Sequence, residues 1–254
     1  MMDLNSFFNI IYVITIERNR RRQVEIKSLL ESKGIDFDFF LGFDGEDLNI
    51  DDLEKKGFYS RKLNLLNCGQ LLTLNELGCG LSHRAIYAEI LNKRYEKVLI
   101  LEDDVTLITS NIVNLTDSLM NVPNDWQLLY LGYCKDNMKM PISFKLKCAM
   151  VYPLLNLLNI KKIDVRQVRN IYRRPFNKYW DLAGFFNGAY AYGLSRIGAE
   201  KILREQSPLS MASDVALKHM VMKGKIRAYS MVYEIFDARW DIGSSIGMRP
   251  SWKN

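Results

Sequence analysis

Long apolar runs are missing from this chain of 254 residues, and no stretch approaches the roughly 18 consecutive apolar residues that a membrane-spanning helix needs. The apolar residues near the start, Phe7, Phe8 and Ile10 to Val13, are interrupted by Asn9 and preceded by Asp3 and Asn5. No basic stretch leads into them and no small-residue cleavage site comes after, so a secretory signal is not expected and the protein is read as cytoplasmic. Cysteine is scarce. Cys68, Cys79, Cys134 and Cys148 fit neither a CxxC pair nor a zinc ribbon, which argues against a disulfide framework and leaves free thiols packing as small apolar side chains. Internal repeats and low-complexity stretches are absent too, so solenoids and disordered scaffolds drop out.

What is present suits a globular α/β protein. With 48% hydrophobic and 25% charged residues the chain can bury a full core, read as one domain over residues 1–254 with an insertion at about 135–181. Its net charge of +6 is concentrated in that insertion, where ten basic residues between Lys139 and Lys178 face Asp164 alone. The rest of the chain is therefore mildly acidic, and the basic segment alone is suited to an anionic partner.

Along the chain, strand-like and helix-like segments alternate. Asn9 to Ile16 is rich in β-branched and aromatic residues and reads as the first strand. Gln23 to Lys33, stopped by Gly34, reads as a helix, and Phe37 to Leu41 as a second strand, a βαβ opening. Thr73-Leu74-Asn75-Glu76 has capping-box spacing for a helix running to about Tyr95, in which Gly78 and Gly80 are costly unless the backbone approaches something closely. Further strands are expected at Trp126 to Gly132, Gly188 to Leu194 and around Ile226 to Ser230. Helices are expected over Asn111 to Met120, over Ser195 to Arg204, and within Pro208 to Met222 with Ser213 or Ser210 as cap. This alternation implies a largely parallel or mixed sheet with helices on both faces.

The most informative stretch is Lys97-Val98-Leu99-Ile100-Leu101-Glu102-Asp103-Asp104-Val105, an apolar run that ends in three consecutive carboxylates. The run reads as a buried strand, which puts the acids at its carboxyl end, where open α/β sheets bind ligands. Like charges side by side repel, and a divalent cation carrying a diphosphate relieves that repulsion. Alternation along a strand would turn Glu102 and Asp104 to one side and Asp103 away, towards the loop. A merely solvated strand end is the bland alternative.

Several segments together resemble glycosyltransferase family 25. They are Val13-Ile14-Thr15-Ile16-Glu17-Arg18-Asn19-Arg20-Arg21-Arg22, Leu77-Gly78-Cys79-Gly80-Leu81-Ser82-His83, the acidic motif Leu101-Glu102-Asp103-Asp104-Val105, Asn187-Gly188-Ala189-Tyr190-Ala191-Tyr192-Gly193-Leu194-Ser195-Arg196-Ile197-Gly198-Ala199, and Ser213-Asp214-Val215-Ala216-Leu217. The resemblance implies a GT-A-type nucleotide-sugar fold and inverting transfer of a hexose, galactose from UDP-galactose by preference, to a saccharide acceptor in lipooligosaccharide or lipopolysaccharide biosynthesis. The tract from Lys135 to Asp181 matches no motif of the family.

On this reading Asp104 and Glu102 would hold Mn²⁺ or Mg²⁺, and Arg18, Arg22, His83, Glu102, Asp103 and Gly188 would line the donor site. Inversion needs a general base, and Asp214 is the first choice, with Asp181 and Asp241 in reserve. The competing reading makes Asp214 an idle acid at a helix start. His83 is either near the donor or a satisfied structural residue. In the basic segment, Leu154, Leu157, Leu158, Ile163 and Val168 interleave with Lys161, Lys162, Arg166 and Arg169 as one loosely amphipathic helix. It would either lie on an anionic membrane, peripheral to the cytoplasmic face of the inner membrane and near a lipid-linked oligosaccharide acceptor, or pack on the body. Trp180, Phe185 and Phe186 would stack on acceptor sugar or fill the core. The alternatives of another class are a non-catalytic binding protein of the same fold and a nucleic-acid binder using residues 139–178. The aromatics near that segment lack the pattern of a nucleic-acid-binding module.

Overall fold

The computed structural model describes residues 3–134, 140–160 and 162–239. Its strands are β1 (Ile10–Thr15), β2 (Asp38–Leu41), β3 (Lys97–Glu102), β4 (Val105–Leu107), β5 (Leu128–Gly132), β6 (Arg174–Pro175), β7 (Trp180–Leu182), β8 (Ala191–Ser195), β9 (Ala228–Met231) and β10 (Phe236–Ala238). Eight form one mixed sheet in the order β2-β1-β3-β8-β5-β9-β7-β6, and β4 pairs with β10 in a small antiparallel sheet. β1 runs parallel to both β2 and β3. β8 runs antiparallel to β3 and β5, so those two point the same way. Val98 to Leu101 have no exposed surface, as expected of a strand covered on both faces.

The longest helices among the described residues are α1 (Arg20–Glu31), α2 (Leu74–Lys93), α3 (Arg196–Glu205) and α4 (Ser213–Met222). α1 makes the crossover between β1 and β2, the expected βαβ opening, and it starts early enough to include Arg20, Arg21 and Arg22. The capping box of α2 is formed: the Glu76 N–H donates to Thr73 Oγ1 at 3.3 Å and the Thr73 N–H donates to Glu76 Oε2 at 2.8 Å. Its two early glycines are explained by close packing. A Cβ on Gly78 would lie 2.6 Å from the Phe43 carbonyl oxygen, so α2 rests directly on the loop after β2; one on Gly80 would meet Leu209 at 2.9 Å. Ser195 caps α3, accepting the Gly198 N–H at 3.1 Å. At α4 the expected serine cap is replaced: Ala212 stands at the cap position with no side-chain bond, and Ser213 is already helical.

The region read as an insertion departs from expectation in two respects. Its last part supplies β6 and β7, which extend the main sheet beyond β9. Its apolar and basic residues do not form one helix. A helical run covers Ile142–Leu146, a π-type turn Lys147–Val151 and Tyr152–Leu157; the chain then turns through Asn159 at φ +54°, and a second helix, Val165–Arg169, starts at the Asp164 cap. Asp164 accepts the N–H groups of Arg166 and Gln167, and an aspartate at that place breaks a continuous helix in two. Trp180 and Phe186 are core residues rather than exposed stacking platforms. Among the described residues no helix is long and apolar enough to cross a membrane.

Candidate active site

The carboxyl ends of β1, β2 and β3 share one edge of the sheet, and α2 covers that edge from one side. Between them opens a cleft bounded by the segment after β1, the Phe43–Gly45 loop, the cleft face of α2 and the acidic turn after β3. Glu102, Asp103 and Asp104 all border it, together with Cys79, Ser82 and His83 of α2 and Arg18.

The three carboxylates differ in their partners. β3 ends at Glu102, and Asp103 and Asp104 form a turn, so simple strand alternation does not apply. Asp103 does not point away as expected. Its carboxylate accepts Thr15 Oγ1–H at 2.7 Å, Asn19 Nδ2–H at 3.0 Å and the Arg22 guanidinium at 3.1 Å, which ties the acidic turn to β1 and α1. Asp104 has the same Arg22 at 3.3 Å, and burial together with Glu102 pushes it up to about 7. Glu102 is pushed up to about 8, first by burial and then by the charges of Asp214 and Asp103. Its side chain keeps about 32% exposure, so water in the cleft moderates that push. Both carboxyls thus sit where negative charge is in excess and Arg22 offsets only part of it.

His83 lies at the foot of the cleft. Its Nδ1 is 2.7 Å from the Tyr192 hydroxyl, which lies 2.8 Å from the Tyr87 hydroxyl, and its Nε2 faces Glu102 Oε1 at 3.7 Å. Burial lowers its pKa to about 4, which keeps the ring neutral at physiological pH. Cys79 stands one turn before it on α2, and its Sγ, a nitrogen of His83 and a carboxylate oxygen of Glu102 lie within 4.8 Å of one another. Burial, with Glu102 and Asp214 nearby, raises the thiol well above its ordinary value.

Asp214 stands in the first turn of α4. Its Oδ2 accepts the Gly188 N–H at 3.2 Å and its Oδ1 accepts the Val215 N–H at 2.8 Å. Its charge acts on Glu102, His83 and Cys79 alike, so it belongs to the same electrostatic neighbourhood as the cleft. Gly188 does not border the cleft. It has φ +65°, a conformation that favours glycine, and its N–H orients Asp214. Arg18 borders the cleft but pairs with Asp44 at 2.8 Å and with Glu46, while Arg20 and Arg21 are helix-surface charges paired with Glu17 and Glu25. Asp181 is engaged elsewhere, buried on β7 against Arg173 at 2.9 Å. Asp241, Lys139 and Lys161 lie outside the described residues. Sequence reasoning passed over Thr15, Asn19 and Tyr192 as individual contributors, although a polar threonine closing an otherwise apolar strand is a legible signal.

As a test of fit for a divalent cation, Glu102 and Asp104 supply hard oxygen donors short of compensating charge, which suits Mg²⁺ or Mn²⁺. Cys79 and His83 add softer atoms beside Glu102. The donor set fits.

A mixed sheet built on the parallel unit β2-β1-β3, with an acidic turn on its carboxyl edge, makes this an α/β protein whose cleft lies where such sheets bind ligands. The family model described as Glycosyltransferase family 25 (LPS biosynthesis protein) matches residues 8–217, and the chain belongs to that family. It is similar to human procollagen galactosyltransferase 2, 27% identical over 242 residues that cover 91% of this chain and 33% of the relative. It is also similar to a mouse protein named inactive glycosyltransferase 25 family member 3, 28% identical over 134 residues, covering 49% of this chain and 22% of that one. The chain thus spans about a third of the length of the human relative. Among solved structures, mouse xyloside xylosyltransferase 1 aligns over 85% of this chain and 62% of that one at 14% identity and a TM-score of 0.29, a likeness too loose to add to the topology itself.

Proposed function

We propose that the chain is an inverting, divalent-metal-dependent glycosyltransferase that moves a hexose from a UDP-sugar, UDP-galactose by preference, to a saccharide acceptor in lipooligosaccharide or lipopolysaccharide assembly. The observation that carries this reading is the convergence of Glu102 and Asp104 on one cleft, with Asp214 within electrostatic reach of Glu102. In the reaction the acceptor oxygen forms a bond to the anomeric carbon, the bond from that carbon to the diphosphate breaks, and UDP leaves with the electron pair. A bound Mn²⁺ or Mg²⁺, held by Asp104 and Glu102, would supply charge to offset that of the departing diphosphate. Arg22 fixes the acidic turn, and Arg18 stands at the cleft mouth for the nucleotide. Asp214, oriented by the Gly188 N–H, accepts the proton of the attacking hydroxyl. His83, kept neutral by burial and bonded through Nδ1 to the Tyr192 hydroxyl, lines the cleft beside Glu102 without adding a positive charge.

UDP release from a panel of UDP-sugars, measured with a saccharide acceptor and Mn²⁺, tests the reading. Turnover is expected only with metal. Asp104→Ala should lower it about 10²- to 10³-fold, the scale of a lost electrostatic contact in a transition state. Turnover that survives chelation or is indifferent to Asp104→Ala overturns the metal assignment. The mouse relative named inactive raises a second reading, a non-catalytic binding protein. UDP-sugar binding measured by calorimetry with no UDP release would favour it.

A further inference from the structure

The segment that leaves β5 has an outer face made of oily side chains. Ile142, Leu146, Met150, Leu154, Leu157 and Ile160 are each more than half exposed, at spacings of three or four residues. Within the helical run Ile142–Leu157 those spacings keep the first five on one side, and Ile160 follows after the turn at Asn159. Four residues overrun a 3.6-residue turn, and the wider π-type turn at Lys147–Val151 takes up the drift. The opposite side is satisfied: Cys148 is buried, and Phe144 packs edge-on against Tyr152 and against Tyr172 of the chain beyond the second helix. The oily face is therefore not a by-product of a badly packed helix; the helix has an inner face already in use.

Charge flanks this stripe. Lys145, Lys147, Lys162, Arg166 and Arg169 are exposed, and Asp164 is the sole acidic residue from Met140 to Trp180, its carboxylate engaged in capping a helix. Contiguous exposed apolar side chains mark a surface that another phase or molecule covers, and basic residues beside them select an anionic one. The position is also informative. β3 and β5 run in the same direction, so the chain leaves β5 on the edge of the sheet that carries Glu102, Asp103 and Asp104.

We propose that the Ile142–Ile160 segment docks on an anionic lipid bilayer, with its six apolar side chains among the acyl chains and the neighbouring lysines and arginines at the headgroups. The cleft edge of the sheet is then held at the bilayer surface, within reach of an acceptor saccharide carried on lipid. The docking is independent of the catalytic reading, since it rests on the apolar face and the charge beside it; only the reach to an acceptor rests on that reading.

Flotation of the purified chain with vesicles tests it. Vesicles of phosphatidylglycerol in phosphatidylcholine should carry the protein upward, and vesicles of phosphatidylcholine alone at least tenfold less of it, because each basic residue near an anionic surface contributes about fivefold in partitioning. The double variant Leu146→Asp, Leu157→Asp should lose flotation while its thermal unfolding stays unchanged, both side chains being exposed. A second pair, Lys162→Glu with Arg166→Glu, should weaken binding to anionic vesicles and flatten its salt dependence. Failure to float on either vesicle, or flotation that both pairs leave unaltered, overturns the proposal. So does sedimentation showing a dimer in solution that the leucine pair dissolves, because the oily face would then belong to a second copy of the chain.

Discussion

The cleft and the Ile142–Ile160 segment dispose of the same two kinds of side chain in opposite ways. In the cleft, carboxylates are drawn inside: Asp103 is buried and bonded by Thr15, Asn19 and Arg22, and Glu102 and Asp104 are pushed towards neutral pH beside it. On the segment, leucines and isoleucines are left outside while lysines surround them. Burying a charge is costly unless it is paired, and exposing a contiguous apolar face is costly unless something covers it. Asp103 meets the first condition within the chain. The two carboxyls beside it, of which Asp104 shares Arg22, and the oily face are the places where the proposed cation and the proposed lipid surface would act.

The contrast can be broken most forcefully at Asp103. Asp103→Ala takes from Arg22 one of its two carboxylates, strips Thr15 and Asn19 of their acceptor and removes the tie between β3 and β1, and denaturant unfolding should show a loss of about 3 kcal/mol, the lower end of the scale for breaking a buried ion pair. An effect below about 1 kcal/mol would mean that the acidic turn is held by its backbone alone. Gly78→Ala comes next. Its Cβ would meet the Phe43 carbonyl, which as backbone cannot swing aside, so the roof of the cleft must shift; a loss of about 1–3 kcal/mol in thermal or denaturant unfolding is expected.

A third measurement sharpens the comparison through pH. His83 has a folded pKa near 4, against about 6.5 when unfolded, so the unfolded chain takes up the proton first as the pH falls. The stability that neutral burial contributes is fully present above pH 6.5 and declines between 6.5 and 4. Relative to His83→Gln, the wild type should lose stability more steeply across that window, and parallel curves would show that the ring titrates normally. The smallest effect belongs to the outer face: Leu157→Ser should change unfolding free energy by less than about 0.5 kcal/mol, since the side chain is exposed. A larger loss would place Leu157 in a packed contact.

How far the sequence could be read depended on whether the deciding interaction was local. The capping box of α2 and the buried β3 are written in neighbouring residues, Thr73 with Glu76 and Val98 to Leu101, and both formed as expected. The cap of α4 was misread because Ser213 and Ser210 are both plausible by spacing, and only the path of the chain into the helix puts Ala212 there. The basic segment was misread for a similar reason. Its apolar positions tolerate a single helix, but Asp164 offers a capping geometry that competes with helix continuation, and the π-type turn at Lys147–Val151 alters the register.

By itself the sequence determined the strand and helix alternation, the acidic end of β3 and the charge imbalance between the 139–178 segment and the rest, because each arises from side-chain types a few residues apart. Only the tertiary structure decided that Asp103 is tied down by Thr15 while Glu102 and Asp104 border open space, that Cys79 and His83 meet Glu102, and that Gly188 serves Asp214. Those pairings join residues far apart in the chain, and their energies depend on burial, which arises only once the sheet, α2 and α4 have closed around them.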